Sequence, residues 1–219
     1  MRKMPVVHLL PGFTLDRACY SKLNLPEEQF RFTDFIPVEG NETLPEYALR
    51  MAEAMKFKSG DIVGGHSLGG MLALEIARQR HASKVLLLSS CTHRRFVHQP
   101  FRTSMRLARL TPVGAMRSFF IHLPVFLRGK GLYDLDSEQF IREIVERFPT
   151  ELFQTLPGLV VRWKGCEPAA PCAAMHAEND WLIRPPSHLP GLKLLPGSHH
   201  IIMVSQPEAV RNFLMEQAN

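Results

Sequence analysis

The sequence contains no aspartate or glutamate between Glu75 and Asp134, although the whole chain of 219 residues holds 21 acidic side chains. Cations accumulate in the same stretch: Lys84, Arg94, Arg95, Arg102, Arg106, Arg109, Arg117, Arg128 and Lys130. A basic surface of this kind attracts anionic substrates, nucleic acids or membrane surfaces, or it simply forms a solvated face. No nucleic-acid-binding motif accompanies the charge, so we expect a small-molecule partner rather than a nucleic acid.

The chain also lacks features that define other classes of protein. No apolar run approaches the roughly 18 residues of a membrane-spanning helix. Four cysteines are scattered along the sequence: Cys19, Cys91, Cys166 and Cys172. They form no C-x-x-C pair, and no G-K-[ST] loop for nucleotide phosphates is present. We therefore expect neither a metal nor a cofactor, and reduced thiols, with a disulfide between Cys166 and Cys172 as the less favoured alternative.

The start of the chain bears on its location. The first apolar run, residues 6–10, is short, contains His8 and has no small-residue cleavage site behind it. It therefore predicts a first strand rather than a signal peptide, and we expect a cytoplasmic protein. A hydrophobic content of 45% and a charged content of 21% are ordinary for one globular domain with room for an inserted subdomain.

Apolar runs and helical periodicity alternate along most of the chain. Strands are predicted at residues 6–10, 31–36, 61–65, 84–89, 172–176 and 192–195. An amphipathic helix is expected at 69–80 and a last helix at 207–217. This order predicts an α/β fold with a mostly parallel open sheet covered by helices on both faces. Residues 92–164 read as an inserted helical cap, with 1–91 and 165–219 as the core.

The segment Gly65-His66-Ser67-Leu68-Gly69 is a G-x-S-x-G pentapeptide between the predicted strand and helix. A serine hydroxyl is a weak nucleophile and must be exposed beside a base. A sharp strand-to-helix turn exposes it, and flanking glycines remove the Cβ atoms that would clash there. Ser67 is therefore the candidate nucleophile, and the side chain of His66 is expected to point away from it.

A base and an orienting carboxylate must accompany such a serine. Asp180 follows the strand at 172–176, with Glu178 as a neighbour of the same chemistry. His199 and His200 both follow the strand at 192–195, and spacing from other motifs is needed to choose between them. The order serine, acid, histidine is the one expected for this turn type. His176 is expected only to pack at a strand end.

The oxyanion of the reaction needs two backbone N–H donors. The first is expected from Leu68, the residue after the nucleophile. The second is expected from the loop after the first strand, where we favour the N–H of Phe13. Gly12 is expected to supply the unusual backbone angles that aim this amide inward. The competing interpretation is that Pro11-Gly12 merely forms a turn.

These residues resemble the α/β-hydrolase superfamily over nearly the whole chain, and the resemblance is to compact esterase-like members with a short helical cap. It implies Ser67 as nucleophile and Asp180 as acid, in a segment that fits G-x-x-D-x-x-x-P loosely. Counting back seven residues from Pro207-Glu208 selects His200 as the base and leaves His199 as a substrate-contacting residue. Pro11-Gly12 departs from the His-Gly that is frequent in the family.

The resemblance implies a serine hydrolase that cleaves a carboxylic ester or thioester. The cap suggests substrate contacts at Phe101, Met105, Phe119 and Arg102, with an apolar acyl pocket. Arg102, Arg106 and Arg109 fall at helical spacing and are compatible with an anionic substrate group. The same fold and triad also serve C–C bond hydrolysis, lyase, haloperoxidase and acyltransferase chemistry, or a non-catalytic binding protein.

Overall fold

Six strands form one sheet. The structure, a computed structural model, describes residues 5–131 and 133–218, and only the backbone of Arg109. The strands are β1 (Val7–Leu10), β2 (Phe30–Phe32), β3 (Ile62–His66), β4 (Lys84–Leu88), β5 (Cys172–Ala177) and β6 (Lys193–Leu195). Their order is β2-β1-β3-β4-β5-β6, and every neighbouring pair is parallel. The predicted fold class is confirmed.

Helices connect the strands. They are α1 (Leu44–Ala54), α2 (Leu68–Arg80), α3 (Gln99–Leu107), α4 (Val113–Gly129), α5 (Leu135–Arg147), α6 (Thr150–Arg162), α7 (Ile202–Ser205) and α8 (Pro207–Gln217). Three short 3-10 helices lie at Arg17–Leu23, Arg94–Phe96 and Ala108–Leu110. Helices α3 to α6 all fall between β4 and β5, where the sequence predicts an inserted cap; its bounds at 92 and 164 stay a prediction. No helix in the described ranges has the length and apolar character needed to cross a bilayer.

Two elements differ from their predicted form. Strand β2 ends at Phe32 rather than near residue 36, because β1, its neighbour, pairs Leu9 with Phe32 and ends one residue later. Helix α2 is not amphipathic, since all ten residues from Leu68 to Ala77 are buried. The sheet and α1 pack against it, and Trp163 donates a hydrogen bond to its Glu75. Ser67, the candidate nucleophile, is therefore followed by a central core helix.

The carboxyl ends of the parallel strands meet at one edge of the sheet, where ligands bind in open α/β folds. Strand β1 leads to Phe13 and β3 leads directly to Ser67. Strand β5 is followed by Asp180, and β6 is followed by His200. The topology thus brings the loops that carry all of the predicted reactive groups to the same edge.

Candidate active site

The turn that carries Ser67 has a backbone conformation rare for a side-chain-bearing residue. Ser67 has φ 53° and ψ −114°, between the end of β3 and the start of α2. A Cβ on Gly69 would lie 2.2 Å from the carbonyl oxygen of Leu10, so only glycine lets α2 approach β1 this closely. The hydroxyl of Ser90 donates to the carbonyl of Ser67 over 2.7 Å. Strain of this kind is typical of functional turns.

Asp180 and His200 form a buried hydrogen-bonded pair. The Nδ1 atom of His200 lies 2.7 Å from Oδ2 of Asp180, and both residues are less than a tenth exposed. The other carboxylate oxygen, Oδ1, accepts the backbone N–H groups of Leu182 and Ile183 at 2.8 and 2.9 Å. The loop after β5 therefore fixes the carboxylate, and the carboxylate in turn orients the imidazole.

A second histidine touches the same carboxylate. The Nε2 atom of His176 lies 3.2 Å from Oδ2 of Asp180 and 2.9 Å from the carbonyl oxygen of Ile183. Burial alone would raise the pKa of Asp180, but its interactions with His200 and His176 outweigh burial and hold that pKa well below the usual range. Asp180 is therefore ionised at neutral pH.

The ionisation state of Asp180 decides which nitrogen of His200 carries the proton. An ionised carboxylate only accepts hydrogen bonds, so Nδ1 of His200 must be the donor. In the neutral imidazole, Nε2 then has a free lone pair, as a general base requires. Within the described residues, no hydrogen bond joins this ring to the Ser67 hydroxyl. Catalytic hydrogen bonds are frequently long in unliganded enzymes.

His66 packs against His200. Their ring centroids lie 4.6 Å apart, and Nε2 of His66 donates to the carbonyl oxygen of His200 over 2.9 Å. Burial, followed by repulsion from His200, lowers the pKa of His66 to about 3, so its ring is neutral. Its Nδ1 is buried and has no hydrogen-bond partner in the described structure. His66 thus supports the loop that carries His200.

The start of α2 and the loop after β1 carry the two predicted oxyanion donors. Leu68 is the first residue of α2, so its N–H has no intrahelical acceptor. The N–H of Phe13 donates to no backbone acceptor among the described residues. Gly12, where unusual backbone angles are expected, does not have a positive φ, whereas Thr14 does, with φ 67°. Glycine is needed at 12 because a Cβ there would lie 2.5 Å from Nδ1 of His66.

One buried phenol joins the end of β1 to the residue before Ser67. Tyr20, in the 3-10 helix Arg17–Leu23, donates its hydroxyl to the carbonyl oxygen of Leu10 over 2.7 Å. Its phenol oxygen also accepts the backbone N–H of His66 over 3.1 Å. Leu10 ends β1 and His66 ends β3, so Tyr20 bridges the ends of two adjacent strands.

Two neighbouring cavities open at this edge of the sheet. The first, about 60 Å³ in volume and here called the serine cavity, is lined by Ser67, His200, Phe13 and Leu68 among others. The second, here called the apolar cavity, has a volume of about 270 Å³ and lies between α3 and α4. It is lined mainly by apolar side chains such as Met116. Four residues line both cavities: Phe13, Phe101, Met105 and Phe120. The two cavities are therefore contiguous through shared walls.

The predicted substrate-contacting residues line different cavities. Phe101 and Met105 line both cavities, and Phe119 lines the apolar cavity alone. Arg102 lines a third cavity, of about 80 Å³, that shares Met105 with both of them. His199 lines none of the three, and its predicted substrate contact stays a prediction. The side chain of Arg109 lies outside the described part of the chain.

Sequence reasoning missed three residues of the site. His66 and His176 were assigned no contact with the acid–base pair, although His66 lies inside the pentapeptide and His176 lies four residues before Asp180. That spacing is the one signal available, because a strand end and the following loop are close in space. Tyr20 had no signal, since a 3-10 helix of seven residues produces no apolar periodicity.

Comparisons with known proteins agree with this architecture. The sequence profile of the Alpha/beta hydrolase family matches residues 9–213. A thermophilic esterase from Thermogutta terrifontis superimposes with a TM-score of 0.72 at 18% identity, covering 97% of this chain and 89% of that one. An enol-lactonase from Burkholderia xenovorans LB400 superimposes with a TM-score of 0.71 at 13% identity, covering 98% and 91%. These likenesses show the fold.

A curated relative matches a shorter part of the chain. The polyketide synthase PksR of Bacillus subtilis is 25% identical over 126 residues and covers 52% of this chain. The match spans only 5% of that protein's length. The family assignment therefore rests on the profile, which covers nearly all of the sequence and both ends of the sheet. This chain belongs to the Alpha/beta hydrolase family.

Proposed function

We propose that this protein is a serine hydrolase that cleaves a carboxylic ester or thioester through an acyl-enzyme on Ser67. The observation that carries the proposal is the buried bond between Asp180 and His200, whose ring lines the same cavity as Ser67. Ser67 has a positive φ and follows a parallel strand, and an imidazole oriented by a carboxylate lines its cavity. Together these three side chains provide the parts of a nucleophilic triad.

The reaction divides into two steps. In the first, Ser67 Oγ bonds to the carbonyl carbon while Nε2 of His200 takes the hydroxyl proton. The tetrahedral intermediate collapses, the carbon–oxygen or carbon–sulfur bond breaks, and the imidazolium gives its proton to the leaving alcohol or thiol. In the second, His200 takes a proton from water as the water oxygen attacks the acyl-enzyme. Collapse then releases the carboxylic acid and returns the proton to Ser67.

Charge in both transition states is stabilised from two sides. The backbone N–H groups of Phe13 and Leu68, free of backbone acceptors, are the donors for the oxyanion, and each is worth about 3 kcal/mol in such sites. The ionised Asp180 stabilises the imidazolium that forms on His200. The low pKa of Asp180 keeps this charge in place, so the carboxylate does not take the proton itself.

The cavities favour a substrate with an apolar acyl chain. An apolar cavity of about 150 Å³ accepts a benzene-sized ligand. The serine cavity, at about 60 Å³, is smaller than this, whereas the apolar cavity, at about 270 Å³, is larger. We therefore assign the scissile carbonyl to the serine cavity and the acyl chain to the apolar cavity, past Phe13 and Met105.

Replacement of the nucleophile tests the proposal. Ser67→Ala should lower kcat for p-nitrophenyl acetate and butyrate by at least about 10⁴-fold, since triad serines contribute on the order of 10⁶. The unfolding midpoint should stay close to that of the wild type. Ser83→Ala, an exposed serine outside these cavities, is the matched control and should keep full activity. Wild-type turnover rates in the Ser67 variant would refute the mechanism.

Chemical labelling provides an independent check. A fluorophosphonate probe should modify Ser67 in the wild type, and peptide mass spectrometry should locate the adduct at that residue. Labelling of Ser83→Ala should match the wild type, while Ser67→Ala should not react. A protein that folds but takes up no probe would favour a non-catalytic member of the family.

A further inference from the structure

Three arginines surround a small cavity in the cap. Arg94 comes from the 3-10 helix Arg94–Phe96, while Arg102 and Arg106 lie one turn apart on α3. The cavity, about 80 Å³ in volume, is completed by Met105, Val160 and Val161, and no acidic residue lines it. The basic stretch of the sequence thus produces a concave site in which three guanidinium groups share one space with apolar walls. We call it the arginine cavity.

The three guanidinium groups lack counter-charges. Among the described residues, none of Arg94, Arg102 and Arg106 forms an ion pair. Arginines elsewhere in the structure do pair with carboxylates: Arg17, Arg50, Arg78, Arg80, Arg128, Arg142 and Arg147. The six residues that line the arginine cavity include no acid, so no carboxylate neutralises the three arginines there. Like charges that share a cavity repel one another unless an anion is bound between them.

The hydrogen bonds of these arginines leave donors unused. Arg94 donates to the backbone carbonyl of Val161, and Arg102 donates to the side chain of Gln99. The Nε atom of Arg102 is buried from solvent and has no partner in the described structure. A buried donor without an acceptor is costly, and an anionic ligand would satisfy it. The planar fork of a guanidinium matches the oxygens of a carboxylate or phosphate.

The arginine cavity shares walls with the proposed catalytic site. Met105 lines the arginine cavity, the serine cavity and the apolar cavity, and Val160 lines both the arginine cavity and the serine cavity. The arginine cavity and the serine cavity therefore adjoin each other at Met105 and Val160. This adjacency is the reason to assign an anion bound by the arginines to the molecule whose ester bond is cleaved.

We propose that Arg94, Arg102 and Arg106 bind an anionic group of the substrate, a carboxylate or phosphate, carried on the ester or thioester that Ser67 cleaves. This inference rests on the proposed function and names its substrate class. The anion belongs either to the far end of the acyl chain or to the leaving group. An anion from either source presents the same oxygens to the guanidinium groups. The two sources are distinguished by pairs of substrates that differ only in whether the acyl chain, or the leaving group, is charged.

Two matched pairs of substrates test the proposal. The first pair is p-nitrophenyl hydrogen adipate and p-nitrophenyl methyl adipate, in which the charge is on the acyl chain. The second is butyryl phosphopantetheine and butyryl pantetheine, in which it is on the leaving group. For each pair, the measured quantity is the ratio of kcat/KM for the anionic member to that for the neutral member. Wild type should prefer the anionic member of one pair.

Variants connect this preference to the arginines. In Arg94→Gln/Arg102→Gln the ratio for the preferred pair should fall at least about 10-fold, as expected for lost charge-assisted hydrogen bonds. Arg106→Gln, at an exposed position, should give a smaller fall in the same direction. Arg211→Gln, on α8 and outside the three cavities, is the control and should keep the wild-type ratio. A ratio that does not change in either pair would overturn the proposal.

A binding measurement tests the anion site independently of whether Ser67 is the nucleophile. Calorimetric titration of Ser67→Ala with the same four compounds measures affinity without turnover. Tighter binding of an anionic member, lost when Arg94→Gln/Arg102→Gln is added, would support the site even if the wild type hydrolysed none of them. Equal affinities within both pairs would exclude an anion site at these arginines, whether or not Ser67 is the nucleophile.

Discussion

His176 and Asp180 are in contact through the carboxylate oxygen that also meets His200, with Nε2 of His176 3.2 Å from Oδ2. Because the ring of His176 also donates towards the carbonyl of Ile183, it ties the acid to the loop that follows β5. His176→Leu should therefore lower kcat for p-nitrophenyl acetate about 10-fold with little change in KM, in line with a lost hydrogen bond to a charged group. Steady-state kinetics measures kcat and KM separately.

A conservative replacement distinguishes positioning of the acid from simple packing. His176→Gln can place an amide N–H near the carboxylate and should recover most of the lost kcat. If His176→Leu and His176→Gln lost activity equally, or if the loss were confined to KM, the contact with Asp180 would have no role in catalysis.

The buried ring of His66 should make the protein sensitive to acid. Its pKa is lowered to about 3 in the folded chain, whereas an unperturbed histidine titrates near 6.5. Between these values the unfolded chain binds a proton that the folded chain does not, so the unfolding free energy falls as pH falls. One such group contributes a slope of up to about 1.4 kcal/mol per pH unit. His66→Gln should reduce the slope between pH 6 and pH 4 accordingly.

Urea unfolding at several pH values measures this slope. The control is His81→Gln, which removes an imidazole that is exposed in the folded protein and should leave the slope unchanged. A variant lacking the His66 ring but retaining the full wild-type pH dependence would show that another group causes the acid sensitivity.

Gly12 is expected to tolerate no side chain. A methyl group there would lie 2.5 Å from Nδ1 of His66 and 3.3 Å from Cβ of Ser67, so the loop that carries Phe13 must shift. Gly12→Ala should lower kcat by as much as 10²- to 10³-fold, the approximate cost of losing one oxyanion donor. Gly129→Ala, at the end of α4, where an added Cβ would meet no described atom within 4 Å, controls for a general effect of replacing glycine. Equal kcat in the two variants would contradict the assignment of this loop.

Filling the apolar cavity should change the preference for acyl-chain length. Ala115 lines this cavity from α4, and Ala115→Phe should fill part of it. If two or three methylenes lose their burial, the cost is about 2 kcal/mol, or roughly 30-fold in kcat/KM. The loss should appear with p-nitrophenyl octanoate and not with the acetate.

A neighbouring position on the same helix provides the control for this experiment. A Cβ added at Gly114 would meet no atom within 4 Å among the described residues, so Gly114→Leu should leave the ratio of octanoate to acetate activity unchanged. A parallel loss on both esters in Ala115→Phe would indicate a distorted cap rather than a blocked acyl site.

The sequence predicted the parallel sheet and the positions of its strands well, because buried strands such as β4 are continuous apolar runs. It also placed Ser67, Asp180 and His200 at strand ends, where topology brings them to one edge. What it missed depends on side-chain direction and distance. The ring of His66 turns towards His200, and Gly12 is required by close approach rather than by its backbone angle. Neither fact has a local sequence signature.

The phenol of Tyr20 has a wider consequence for how this protein can change. It holds the carbonyl of Leu10 and the amide of His66 at a set spacing from a helix that contributes nothing to the cavity walls. The spacing between these two strand ends is therefore held by a side chain outside both cavity walls. If the proposed function holds, mutations that remodel the cap can change the acyl group that is accepted while Tyr20 keeps the strand ends beside Ser67 at the same spacing.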